Sequence, residues 1–124
     1  IQLLIFLYFF YVKTTLSTNE VVDTLLDYEV LGKRSDAGVV GATMALADWL
    51  EYLEEETGTE MDLDPIALRC GFSIYTLSEA EEMWCIDTSD AESFEERDTM
   101  ILQYLRDHTT VIEVGTDTVI VEEF

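Results

Sequence analysis

Carboxylates are the side chains with the most chemistry to offer in this sequence, and they come in two runs. Residues 48 to 64 carry Asp48, Glu51, Glu54, Glu55, Glu56, Glu60, Asp62 and Asp64 with no basic residue among them. Residues 79 to 98 carry Glu79, Glu81, Glu82, Asp87, Asp90, Glu92, Glu95, Glu96 and Asp98 against Arg97 alone. In the ordinary case such runs are solvated helix faces. Here they belong to a chain with 27 acidic and 6 basic residues and a net charge of −21. A charge of that size strains the compact state by self-repulsion, repels phosphate backbones and anionic membranes, and attracts basic proteins or cations. Direct nucleic-acid binding is therefore excluded as an expectation. Duplex DNA itself carries a negative charge about every 1.7 Å along its axis. Carboxylates spaced along helices can imitate that array and occupy a basic groove.

Other chemistries find less support. Asp62-x-Asp64 and Asp87-x-x-Asp90-x-Glu92 supply hard oxygen ligands, but neither follows the calcium-loop pattern with a central glycine and a terminal glutamate. One histidine and two separated cysteines do not make a zinc set, so no metal or cofactor is expected. His108 is the sole histidine, and it stands at an expected helix end, where imidazole commonly meets free carbonyls. A small enzyme pairing His108 with a carboxylate is the least favoured reading. No phosphate-binding glycine loop, nucleophile elbow or His-Glu-x-x-His motif is present. Cys70 and Cys85 read as reduced, buried, small apolar residues, with a single bridge as the weaker alternative. Most aromatics, including Trp49, Phe72, Trp84, Phe94, Tyr104 and Phe124, fall at positions the pattern assigns to the core. Tyr52 and Tyr75 lie beside acids, as an anchor for a protein partner would.

The elements that must position these residues follow from periodicity and caps. At 124 residues the chain is one domain, with 48% hydrophobic residues for one modest core. Residues 35 to 57 predict the central helix, with Ser35 as its cap, Asp36 in the first turn and Gly58 just past the end. Its apolar start predicts burial on several sides. Upstream, Leu16, Ser17, Glu20 and Val21 stand at capping-box and staple spacing, which predicts a helix stopping near Leu31 and Gly32. Lys33 and Arg34 then read as a solvated linker.

Ile66, Leu68, Cys70 and Phe72 alternate with Ala67, Arg69, Gly71 and Ser73, which predicts a strand over 66–73 opened by Pro65. Thr76 and Glu79 form a capping box for a short helix through about Trp84, with Leu77, Ala80, Met83 and Trp84 apolar. After a loop over 85–89, Ser89 or Asp90 is expected to cap a helix burying Phe94, Ile101, Leu102 and Leu105. The β-branched runs 110–114 and 118–122, around a turn at 115–117, predict a hairpin. The fold class is α+β: about four helices and a small antiparallel sheet of about three strands, in the order α-α-β-α-α-β-β.

Residues 1 to 11, IQLLIFLYFFY, hold one amide and no charge. They are too short for a transmembrane helix of roughly 20 residues. They also lack the basic flank and small-residue cleavage site of a signal peptide. The favoured expectation is a non-native upstream extension, with Val12 as a GTG start codon and 12–124 as the domain. A signal or anchor remnant is the alternative.

Three stretches, KTTLSTNEV, ALADWLEYLEEETGTEMDLDPIALRCGFSIY and TTVIEVGTDTVIVEEF, carry a resemblance. The chain from Lys13 to Phe124 resembles a family of short, uncharacterised acidic proteins of bacteriophages and prophages. The resemblance implies a phage accessory protein in the cytoplasm of an infected bacterium, with no catalytic residues to carry over. Acidic phage accessory proteins include DNA-mimicking inhibitors of host defence. The leading expectation is thus a non-enzymatic protein that binds a basic surface of a host protein, such as a DNA-binding or defence protein. The expected contacts are Asp48, Glu51, Glu54, Glu55, Glu81, Glu82, Glu92, Glu95 and Glu96. The alternative is an oligomeric phage structural or assembly protein.

Overall fold

A computed structural model describes residues 18–59 and 62–124. The apolar stretch 1–11, Val12, and the cap and staple residues Ser17 and Leu16 lie outside the described residues. Helix α1, Thr18–Asp27, buries Leu25 and Leu26. It stops earlier than the expected Leu31–Gly32, because Glu29 takes a left-handed backbone with φ 51°. The Glu29 amide then donates to the Leu26 carbonyl and the Val30 amide to that of Leu25, satisfying the last carbonyls of the helix. The turn brings Val30 and Leu31 back into the core.

Helix α2, Val39–Thr57, is the longest element, and Gly58 ends it with a left-handed φ of 65°, as expected. Its start corrects the sequence reading: Ser35 does not cap it. The Asp36 carboxylate instead accepts from the Lys33 amide in a separate turn. Gly38 follows at φ 79°, a conformation that cannot continue the helix backwards. Burial is confined to one stripe, Val39, Ala42, Thr43, Leu46, Ala47 and Leu50, at helical spacing. Val40, part of the apolar start expected to be buried, faces solvent, and so does Met44.

The predicted strand over 66–73 is a second correction. Residues Pro65–Gly71 form helix α3, and only then does strand β1 run over Phe72–Thr76. The Asp64 carboxylate accepts from the Ala67 amide at 3.1 Å, and Pro65 occupies the first turn, where its missing donor costs nothing. Cap and proline together override a period-2 pattern, and Ile66 and Cys70 fall on the exposed side of the helix. The observed order has this one helix more than expected.

Helix α4, Leu77–Met83, carries the predicted capping box: the Glu79 amide donates to Thr76 Oγ1, and the Thr76 amide to Glu79 Oε1. Helix α5, Phe94–His108, is capped by Ser93 rather than by Ser89 or Asp90. Starting there puts Phe94 at the solvent-facing first position, 82% exposed, and not in the core. Ile101 and Leu105 are buried as expected. Strands β2, Val111–Val114, and β3, Thr118–Glu122, form the hairpin.

The three strands make an antiparallel sheet in the order β1-β3-β2, so β3 is central. Ile120 pairs with Ile74 on one side and Ile112 on the other. Alternation along β3 divides the core. Ile120 joins Leu25, Leu46, Leu50, Leu68, Phe72 and Ile112 in one cluster, while Val119 and Val121 join Leu77, Ala80, Ile86, Ile101 and Leu105 in another. The sheet is therefore covered on both faces, by α1–α3 on one and by α4 and α5 on the other. This explains why β3 reads as a nearly continuous apolar run.

Candidate protein-binding surface

The two acidic runs lie on opposite outer layers. Asp48, Glu51 and Glu55 are exposed along α2. They surround Tyr52, which is exposed as the sequence suggested. Glu51 accepts a hydrogen bond from the Thr18 hydroxyl, which ties α1 to this face. Glu54 is half-buried. On the other layer Glu82, Glu92, Glu95 and Glu96 are exposed. Glu92, Glu95 and Glu96 are close in the chain to Phe94, whose ring is exposed. Glu96 accepts from the Glu92 amide and so stiffens the start of α5. The structure thus brings the expected contact residues together as two sets separated by the sheet.

Glu81 has a different role. Arg97 donates to it twice, Nε to Oε2 at 2.9 Å and Nη2 to Oε1 at 2.8 Å, and the Thr88 hydroxyl donates to Oε2 at 2.6 Å. Arg97 Nη2 also donates to Ser78 Oγ. The two bonds from Arg97, then that from Thr88, hold the Glu81 carboxyl at a pKa of about 2. This two-pronged pair joins α4, the following loop and α5. It positions neighbouring groups, and its carboxylate is already engaged.

What it positions is a groove of about 610 Å³ between the 84–87 segment and one face of α5. Trp84, Cys85, Ile86 and Asp87 form one wall, and Thr99, Met100, Gln103 and Tyr104 the other. The end of α4 builds the first wall. Cys85 takes a left-handed backbone with φ 50°, and the Ile86 amide donates to the Glu81 carbonyl. Ile86 is thereby turned inward and the Cys85 side chain outward. Asp87 Oδ1 accepts from both the hydroxyl and the amide of Ser89, and these bonds lower its pKa below the usual aspartate value. On the second wall, Met100 and Tyr104 stand four residues apart, directly beside the buried pair Ile101 and Leu105.

Aromatic rings continue past the groove. Tyr75 meets Trp84 edge-on at 5.1 Å, Trp84 stacks on Phe124 at 5.3 Å, and Tyr104 stacks on His108 at 4.2 Å. Phe124, expected in the core, is 48% exposed. His108 Nδ1 lies 2.7 Å from the Tyr104 carbonyl oxygen, the structural arrangement expected at a helix end. Cys70 and Cys85 are both free and exposed, which corrects their reading as buried. Nothing local in the sequence placed Asp87 and Met100 in one groove with Trp84 and Tyr104. The usable signal was a second apolar stripe on α5 one residue before the buried one.

Glu122 is, like Asp62, a buried carboxylate. It ends β3, is fully inaccessible to solvent, and neither carboxylate oxygen has a hydrogen-bond partner at normal distance. Burial raises its pKa, and the Thr110 hydroxyl offsets this only in part. Among the described residues no three metal-binding side chains converge, and no helix is long and apolar enough to cross a membrane. No protein-family model, curated protein or solved structure matches the chain.

Proposed function

We propose that this protein binds a basic surface of another protein through its acidic outer faces, as a phage accessory factor in the bacterial cytoplasm. A DNA-binding or defence protein, whose own groove is built for phosphates, is the partner class that such faces fit. The observation carrying this reading is the layout of the acids. Exposed aromatic rings, Tyr52 on one layer and Phe94 on the other, each lie close in the chain to solvent-exposed carboxylates. Exposed aromatic rings with polar residues nearby are a common composition of protein-binding hot spots. Two opposed acidic faces also give a partner two sides to grip, as a duplex does.

The test is capture from bacterial lysate with elution by a salt gradient, comparing the wild type with two charge-reversed variants. One carries Asp48→Lys, Glu51→Lys and Glu55→Lys; the other carries Glu82→Lys, Glu92→Lys and Glu95→Lys. The expected outcome is a basic protein released at moderate salt and lost from at least one variant, since exposed charges are screened beyond about 10 Å at 0.1 M salt. Capture that is unchanged in both variants and insensitive to salt defeats the reading. Recovery of self-associated chains alone transfers support to the oligomeric assembly role.

A further inference from the structure

The groove beside α5 combines largely apolar walls with one carboxylate, Asp87, a pairing that solubility alone does not require. We infer that this groove receives an arginine-bearing segment of the partner; the inference rests on the basic-partner reading and locates its anchor. Its volume of about 610 Å³ exceeds what one side chain fills and falls in the range of sites that hold a short peptide stretch or small ligand.

The lining matches the parts of an arginine in turn. Ile86 and Met100 offer apolar surface to the three-carbon stem, which side chains of this type bury while the charged head stays near water. The planar guanidinium lies favourably over an aromatic face, and Trp84 and Tyr104 stand on opposite walls, each with one face covered, by Phe124 and His108 respectively. Asp87 provides the counter-charge. Ser89 engages its Oδ1, which leaves Oδ2 for an incoming donor and keeps the group in its acceptor form. Along α5, Glu96 lies one turn before Met100 and Asp107 one turn after Gln103, one accepting from the Glu92 amide and the other from the Gln103 side chain. No lysine or arginine of the described residues lines it, and the nearby Arg97 is held by Glu81. A lysine meets the same charges but gains less from the rings, because its compact ammonium is more strongly hydrated and cannot stack.

The experiment is NMR of the full chain, following the backbone amides together with the Trp84 indole N–H and the Met100 methyl. The titrants are the peptide Gly-Arg-Arg-Leu-Arg-Gly and its counterpart with glutamine at each arginine. The expected result is saturable shifts of both signals with the arginine peptide, at least about tenfold weaker binding of the glutamine peptide, and a similar loss in Asp87→Asn. Thr99→Arg, at an exposed position on the groove wall, places an arginine of the chain's own beside the site and should weaken the peptide by the same factor without unfolding the protein. Shifts confined to Asp48, Glu51 and Glu55, with Trp84 and Met100 unmoved, overturn the groove assignment and leave the basic-partner reading standing. Equal binding of the two peptides overturns the arginine assignment. No shifts anywhere, combined with salt-insensitive capture, defeat both readings.

Discussion

The two helical layers solve the same packing problem with different means. The α1–α3 layer covers its face of the sheet with long apolar side chains: Leu25, Leu46, Leu50 and Leu68 all lie inside, and Trp49 meets Phe72 edge-on at 5.7 Å. The acids of α2 stay on its outer surface, where they cost the core nothing. The α4–α5 layer is thinner. Its helix α4 has 7 residues and contributes only Leu77 and Ala80 as fully buried groups. Here a polar clamp, Glu81–Arg97 with Thr88 and Ser78, joins the elements, whereas the other layer relies mainly on apolar burial, with the Thr18–Glu51 hydrogen bond at its surface. The difference teaches that charge in this molecule is not of one kind. Most carboxylates lie outside both cores, whereas Glu81 helps to hold one layer on and Glu122 is enclosed, its burial offset only in part by the Thr110 hydroxyl.

That comparison can be broken most forcefully on the apolar side. Leu46→Ala should lower stability by about 2–5 kcal/mol, the range for emptying a closely packed leucine site. The loss should be nearly constant with pH, and urea denaturation at pH 5 and pH 7 measures it. A strongly pH-dependent loss would mean that the α1–α3 layer also depends on its charges.

Glu122 offers an intermediate effect of opposite sign. Replacing it by Leu should raise stability at pH 7 by about 1–3 kcal/mol, the cost of a buried polar group left unpaired. Because the folded-state pKa of Glu122 is raised above its ordinary value of 4.5, the folded state binds the extra proton. The penalty is therefore full above the folded pKa and is relieved as pH falls towards 4.5. The advantage of Glu122→Leu should shrink over the same window, and an advantage that persists unchanged at pH 4 would count against the assignment.

Glu81→Gln should give the smallest effect and the most diagnostic one. Its folded-state pKa is lowered from 4.5 to about 2, so the stability that it contributes is fully present above 4.5 and disappears as pH falls through about 2. Thermal denaturation of wild type and variant should therefore differ at pH 7 and converge near pH 2. The variant should also loosen the 84–87 wall, seen as broadening of the Trp84 indole signal while Trp49 stays sharp. Equal broadening of both tryptophans would remove the distinction between the layers.

Local signals in the sequence carried much of the fold. The capping box of Thr76 and Glu79, the terminal Gly58 and the hairpin over 111–122 all depend on groups within a few residues of one another, and each forms where the spacing placed it. The misreadings arose where two local rules competed. At 64–71 a cap and a proline opposed an alternating pattern, and seven residues are too few for periodicity alone to separate helix from strand. At Phe94, placing the cap a few residues early turned an exposed ring into an expected core residue.

By itself the sequence determined the charge, the α+β class and the short-range stops and starts, because those follow from side-chain type and spacing along one chain. Only the tertiary structure decided that the two acidic runs face away from each other across the sheet. It alone withdrew Glu81 from the exposed set by pairing it with Arg97, sixteen positions away. It also assembled the groove from Trp84, Asp87, Met100 and Tyr104. Such arrangements depend on which face of β3 each helix covers, and that choice is made by packing between residues far apart in the chain.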